Sequence, residues 1–207
     1  MTKLYLEDFF GDDLSHAHRP TNNRLETILS HFPDGGFDRV LDIGCCSGFF
    51  CFGMAAHSRE ILGIDKQIIH LSMAQASAKR HNVTNCQFRE QFVEDLFAQE
   101  PDRVWDAVVY MSVHHHMVGK YGWDEAAKWL RKIWDRTEST LFFEMGQKNE
   151  SVNRSARAHW WNALPHGDPV ALHERLLERL PDADFAIIGG SKVHSVTRHL
   201  WKVTRRK

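Results

Sequence analysis

Apolar residues fall into short, nearly unbroken runs, separated by stretches in which they recur every three or four positions. The runs are Val40 to Ile43, Ile61 to Ile64, Trp105 to Met111, Thr140 to Met145 and Phe185 to Ile188, and the mixed stretches Cys86 to Arg89 and Val196 to Val203 are read as strands as well. Continuous apolar runs of this length predict strands buried on both faces, as in a parallel sheet. Between them the period changes to that of a helix. Leu25, Ile28, Leu29 and Phe32 mark a helix that starts near Thr21 to Asn23 and ends at Pro33-Asp34-Gly35-Gly36. A second spans roughly Gln67 to His81, with Ile69, Met73 and Ala76 on one face. A third covers Trp123 to Asp135, with Trp123, Ala127, Leu130 and Trp134 aligned. Asp168-Pro169 has the N-cap and first-turn chemistry of a helix start, followed by Leu172, Leu176 and Leu180. The last two strands are expected to join through Gly189-Gly190-Ser191. The alternation predicts an α/β fold, a mostly parallel sheet of seven strands with helices on both faces.

Composition narrows the class. The 207 residues suit one domain over 1–207, large enough to bury roughly 70% of its unfolded surface without staples. A formal net charge of −1 supplies no global field for a long nucleic acid or a membrane surface. The four cysteines, Cys45, Cys46, Cys51 and Cys86, form no C-x-x-C pair, so neither a zinc site nor a disulfide framework is expected. Reduced thiols, no basic-then-apolar leader and no long apolar run predict a cytoplasmic protein without a membrane span.

The chemistry begins at residues 38 to 48, Asp-Arg-Val-Leu-Asp-Ile-Gly-Cys-Cys-Ser-Gly, followed by Phe49-Phe50-Cys51-Phe52. A strand feeding a helix through glycine is where an α/β sheet binds a nucleotide-like cofactor. The strand Ile61 to Ile64 ends in Asp65, 21 residues after Gly44, and an acid at that distance accepts hydrogen bonds from ribose hydroxyls. A dinucleotide site needs backbone close to the pyrophosphate at the second glycine of G-x-G-x-x-G, where this chain has Cys46. An S-adenosylmethionine site has no phosphate to seat there, and carries an acid two residues before the first glycine, here Asp42.

Asp42-Ile43-Gly44-Cys45-Cys46-Ser47-Gly48 with Asp65 resembles motif I and the second-strand acid of class I S-adenosylmethionine-dependent methyltransferases. The family's commonest form is D-x-G-x-G-x-G, and Cys46 departs from it at the middle glycine. The resemblance implies a Rossmann-like sheet with an antiparallel last strand beside strand five. It also implies a cofactor wall from Asp42, Gly44, Cys45, Cys46, Gly48 and Phe49, continued by Asp65, Lys66, Met111 and Ser112. In the family the loop after strand three holds adenine. The usual acid falls at Phe92, so Phe92 and Val93 are expected to clasp the ring, with Gln91 or Glu94 meeting its amino group. Alternatively, Glu94 and Asp95 only favour the dipole of a helix start. The N-terminal segment 1–33 is either a helix packed on the sheet edge or a lid, with Arg19 or Arg24 reaching the methionine carboxylate.

The residues for the acceptor side come directly after strands four and five. Ser112-Val113-His114-His115-His116 leaves strand four where ligands bind, and strand five ends in Glu144. His114, His115, His116 and Glu144 are the catalytic candidates, because histidine titrates where a base for a hydroxyl or amine is needed. Neighbouring histidines point apart, so no structural zinc site is expected, while His114 and His116 on one side of an extended segment, joined by Glu144, leave a weak catalytic metal open. Residues 147–167 form a long polar stretch containing Trp160-Trp161, read as a substrate cap. Met111 to His116, Gly122 to Glu125 and Phe143 to Met145, with a fainter echo in Gly189-Gly190-Ser191, Arg198 and Trp201, are similar in layout to two methyltransferase groups. One terminates bacterial surface polysaccharides by methylating a sugar or its phosphate. The other, of bicoid-interacting type, methylates an RNA 5′-phosphate. The expected activity is O-methylation of a hydroxyl or phosphate on a glycan or small metabolite. The alternatives are a small-molecule N-methyltransferase and a silent cofactor-binding partner subunit.

Overall fold

A computed structural model of the chain describes residues 21–148, 150, 160–193 and 196–206. Arg19, with the rest of 1–20, and residues 151–159 of the expected cap lie outside the described residues. In chain order the elements are α1 (Thr21–Leu29), β1 (Phe37–Ile43), α2 (Phe49–Met54), β2 (Ser58–Asp65), α3 (Ile68–Arg80), β3 (Cys86–Glu90), α4 (Val93–Gln99) and β4 (Trp105–Met111). There follow α5 (His114–Tyr121), α6 (Trp123–Asp135), β5 (Thr137–Glu144), α7 (Pro169–Leu177), β6 (Ala183–Val193) and β7 (Val196–Arg205).

The described strands form one seven-stranded sheet in the order β3-β2-β1-β4-β5-β7-β6. The first five pair in parallel, and β7 runs antiparallel to both β5 and β6. The order reverses between β1 and β4, and ligands bind in the crevice beyond strand ends at such a point. Side chains alternate across the sheet. Val40 and Phe142 pack among residues of α1, α2 and α3, whereas Leu41 and Phe143 pack among those of α4 to α7. Helices therefore cover both faces, as the β-α alternation predicts. Among the described residues no helix is long and apolar enough to cross a membrane.

Three expectations are corrected. First, Ile69 and Met73 lie on the outer face of α3, exposed by 73% and 46%, whereas Leu71, Ala74 and Ala78 pack inward. Leu71 and the small Ala74 and Ala78 let this helix sit close to the sheet, and the larger apolar residues are left outside. Second, Gly189-Gly190-Ser191 is no turn: β6 runs through it to Val193, with a register shift between Ile187 and Gly189 absorbing an extra residue. Third, the histidine run opens α5 immediately after β4 rather than extending the strand.

Elsewhere local chemistry agrees with the fold. Asp168 caps α7 by accepting a hydrogen bond from the Ala171 N–H at 2.9 Å, with Pro169 at the first helical position. On α6, Ala127, Leu130 and Trp134 are buried as their spacing predicts. The Trp134 indole N–H donates to the Pro181 carbonyl at 2.8 Å, and the Arg205 guanidinium lies 4.6 Å from its ring.

Asp42 is an exception to the apolar strand rule. It is 1% exposed, and its Oδ2 accepts a hydrogen bond from the Cys51 thiol of α2 at 3.2 Å. Burial raises its pKa to about 7, the Cys51 bond opposes the shift, and the Asp65 charge adds to it. A carboxyl raised on folding binds more protons in the native than in the unfolded chain. Its contribution to stability is complete below the unfolded value, about 4, and is lost as pH rises to about 7.

Two stability outcomes are expected. Trp134→Ala should cost about 3–5 kcal/mol, read as a shift in the urea midpoint at unchanged slope. Asp42→Asn should become progressively more stable relative to the parent as pH rises from about 4 to about 7. A stability gap independent of pH would show that Asp42 titrates alike in the folded and unfolded chain.

Candidate functional site

The turn after β1 is built by hydrogen bonds across the β1–β2 pair. The N–H groups of Gly44 and Cys45 both donate to the Ile64 carbonyl, at 2.8 and 3.0 Å. Three residues take the left-handed conformation: Gly44 at φ +78°, Cys46 at +51° and Gly48 at +87°. A Cβ on Gly44 would collide with the Val113 side chain, and one on Gly48 would meet the Phe52 and Phe88 rings at 2.9 Å. Cys46 keeps its side chain because it is exposed, although a non-glycine residue there costs on the order of 1–3 kcal/mol. The chain thus preserves the backbone path of D-x-G-x-G-x-G without its middle glycine.

Asp65 closes the other wall. Its Oδ2 accepts from the Cys46 N–H at 3.0 Å and its Oδ1 from the Gln67 N–H at 2.9 Å. The second-strand acid is therefore held against the glycine turn. The Gln91 N–H donates to the Asp65 carbonyl at 3.0 Å, which carries Phe92 to the same rim. Phe92 is 47% exposed, with the Lys120 ammonium 5.1 Å from its ring. Lys66 is exposed, whereas Val93 is buried in the core below. Glu94, offered for the adenine amino group, accepts instead from the Tyr121 hydroxyl at 2.7 Å.

Not every expected cofactor residue faces this crevice. Asp42 supports the turn from beneath, through α2. The Cys45 sulfur turns inward over Gly63, beside that of Cys51, so Cys45 presents backbone alone. Met111 and Phe49 are buried at 6% and 9% among the residues of α1 to α3. Ser112 has φ +62°, and its N–H donates to the Glu144 carbonyl at 2.8 Å.

Glu144 is fully buried and heavily engaged. Its Oε1 accepts from the Ser112 hydroxyl at 2.8 Å and its Oε2 from the Ser191 hydroxyl at 3.3 Å. The Arg24 guanidinium approaches both oxygens, at 3.3 and 3.4 Å, and Arg198 lies 3.8 Å from Oε1. Arg198 is held by Glu150 through two bonds of 2.6 Å and donates to the Ser112 hydroxyl at 3.3 Å. The Gln147 N–H donates to Glu150 at 2.8 Å. With both carboxylate oxygens engaged by these donors, Glu144 anchors the segments around it, and this geometry does not bear out the expected role in taking a proton from an acceptor. Arg24, considered for the cofactor's carboxylate, is here a partner of Glu144. Sequence reasoning missed Glu150 and Gln147. They lie in an irregular stretch where neither period nor motif marks them.

The three histidines separate. His114 is fully buried between Tyr110 and Phe143, with ring centroids at 5.7 and 5.6 Å. Burial, with the nearby His173, lowers its pKa to about 3, and its Nε2 has no hydrogen-bond partner among the described residues. It is a core residue, and its catalytic assignment is withdrawn. His115 is 3% exposed, and its Nδ1 accepts from the Gly146 N–H at 2.9 Å. His116 is exposed, its ring 4.3 Å from that of His115.

Trp160 stands 4.4 Å from His115 and is only 4% exposed, so it packs the site from behind and offers no face to a substrate. Trp161 is half-buried, with the Lys148 ammonium 4.3 Å from its ring and bonded to its carbonyl at 2.9 Å. Among the described residues no group of three His, Cys, Asp or Glu is arranged to hold a metal ion.

Residues 37–122 match the family described as a methyltransferase domain. The chain is 27% identical over 198 residues to the O-antigen chain terminator bifunctional methyltransferase/kinase WbdD of Escherichia coli, covering 92% of this chain and 26% of that protein. This chain thus spans about a quarter of that relative's length. A crystal structure of WbdD superposes with a TM-score of 0.77 at 26% identity, over 98% of this chain and 46% of the other. The ubiquinone biosynthesis O-methyltransferase of Acinetobacter baylyi is 33% identical over 100 residues, 48% of this chain and 42% of that protein. Magnesium protoporphyrin IX methyltransferase of Synechocystis, with S-adenosylmethionine bound, shares the fold at a TM-score of 0.65 and 17% identity, over 89% of this chain and 77% of the other. The glycine turn, the opposed Asp65, the sheet order and these matches agree on a methyltransferase domain that includes residues 37–122.

Proposed function

We propose that the chain catalyses O-methylation, transferring a methyl group from S-adenosylmethionine to a hydroxyl or phosphate oxygen on a glycan or small metabolite. The observation that carries the cofactor half of this reading is the Asp65 carboxylate held by the Cys46 N–H against the left-handed turn from Gly44 to Gly48. Asp65 would exchange its bonds to backbone for bonds from the ribose hydroxyls. Phe92 would cover the adenine ring, and the turn from Gly44 to Gly48 would pass beside the methionine portion. When bound, the cofactor supplies an electrophilic methyl carbon on a sulfonium that carries its own leaving group.

What remains for the protein is to align the acceptor oxygen behind that carbon and to exclude water. Alignment of this kind is worth roughly 7–11 kcal/mol of barrier. Glu144 closes β5, and the Ser112 segment and His115 follow β4, at the strand ends where an acceptor would meet the cofactor. The choice of oxygen over nitrogen is supported by the names of two relatives, one an O-antigen chain terminator and one a ubiquinone biosynthesis O-methyltransferase. The near-neutral charge suits a small or glycan acceptor better than a long nucleic acid.

Asp65→Ala should weaken S-adenosylhomocysteine binding by about 1.5–3 kcal/mol in calorimetry. NAD binding more tightly than S-adenosylhomocysteine would refute the cofactor assignment. Incubation with methyl-labelled S-adenosylmethionine should label sugars or sugar phosphates and leave an amine panel unlabelled. Label on amines alone would make this an N-methyltransferase. Tight nucleoside binding with no transfer to any acceptor would make it a partner subunit.

A further inference from the structure

We infer that Arg198 is a positioning residue for the cofactor turn: it holds Ser112 in a strained backbone conformation that seats Val113 on Gly44. The inference rests on the cofactor half of the reading above and does not depend on the acceptor. Ser112 stands between the last residue of β4 and the start of α5, at φ +62°. Glycine takes that conformation freely, whereas a serine must be held there by its surroundings. The bond from the Ser112 N–H to the Glu144 carbonyl would be open to almost any residue, so it does not account for a serine. The side chain adds what is specific. Its hydroxyl donates to Glu144 Oε1 at 2.8 Å and accepts from Arg198 Nη1 at 3.3 Å.

Arg198 is fixed in turn by a closed circuit of bonds. Its Nε and Nη2 each donate to Glu150 at 2.6 Å. The Gln147 N–H donates to Glu150 at 2.8 Å, and Gln147 Nε2 donates to the Thr197 carbonyl at 2.7 Å. Thr197 adjoins Arg198 on β7, which closes the circuit. The planar guanidinium spends one edge on Glu150 and turns its remaining nitrogen to Ser112. One buried side chain thereby joins β7, the segment after β5 and the residue after β4.

The next residue carries this to the cofactor turn. Val113 Cγ2 fills the space that a Cβ on Gly44 would need. In the sheet, β1 lies between β2 and β4. Gly44 is therefore gripped from β2 through the Ile64 carbonyl and from the β4 side by Val113. A Ser112 relaxed to negative φ would redirect Val113 and remove the second grip.

Two measurements test this, and the first needs no ligand. Nuclear Overhauser contacts between the Val113 methyls and the Gly44 α protons in the full chain should be present in the parent, lost in Arg198→Lys and restored when Ser112→Gly is added. Lysine keeps a cation beside Glu144 and Glu150, but its single ammonium cannot serve Glu150 and Ser112 as the fork does. Glycine takes positive φ without help. An unchanged contact in Arg198→Lys, or one that Ser112→Gly fails to restore, would overturn the inference. The second measurement is S-adenosylhomocysteine affinity by calorimetry. Arg198→Lys should bind about tenfold more weakly. Adding Ser112→Gly should return the affinity to within about threefold of the parent. A guanidinium that only stabilised the fold would lower the urea midpoint, and glycine would rescue nothing. If Arg198→Lys binds as the parent does, the positioning role fails and the cofactor reading stands. If the parent binds no S-adenosylhomocysteine, the cofactor reading fails and the Val113–Gly44 contact alone decides the role of Arg198.

Discussion

A buried carboxylate must find donors or be neutralised, and Glu144 finds them in four separate parts of the chain. Arg24 comes from α1, Ser112 from the end of β4, Ser191 from β6 and Arg198 from β7. None of these segments neighbours another in sequence except the two strands of the closing hairpin. The desolvation of so deep a charge is severe unless every lone pair is met, so the cluster tolerates little drift in any of its members. It sets the N-terminal helix and the closing hairpin against the carboxyl ends of the central strands. The crevice walls depend on that arrangement.

The fold was largely legible because buried parallel strands write continuous apolar runs and their covering helices write a 3.6-residue period. Trp105 to Met111 and the α6 face of Ala127, Leu130 and Trp134 appear as their pattern predicts. On α3 the rule misleads. A period locates a face but not its direction, and the small residues of that helix claimed the inside. The β6 glycines mislead for a related reason, since glycine signals both a turn and a strand irregularity.

The candidate site was legible in part. The Gly44 to Gly48 turn and Asp65 announce themselves through spacing, because backbone geometry leaves few residue choices there. Cys46 was the departure, and its φ of +51° shows that conformation was retained while residue type was not. The histidines could not be ranked from sequence. Three adjacent residues at the start of a helix point in three directions, so one enters the core, one bridges two strands and one faces out. Glu150 and Arg198 are far apart in the chain and meet through tertiary packing, which leaves no local signal.

The strand that lies against β5 has a consequence for how the molecule is made. β7 is inserted between β5 and β6, and it reaches the ribosome exit only after α7 and β6 have been synthesised. Until then one edge of β5 lacks a strand partner, and Glu144 waits in a nascent chain without Arg198. Domains are built from the N-terminus at about 5–20 residues per second, so this interval lasts seconds. During it, the exposed strand edge offers pairing to other chains. Closure of the hairpin is thus the step that gives β5 its second neighbour and Glu144 its contact with Arg198.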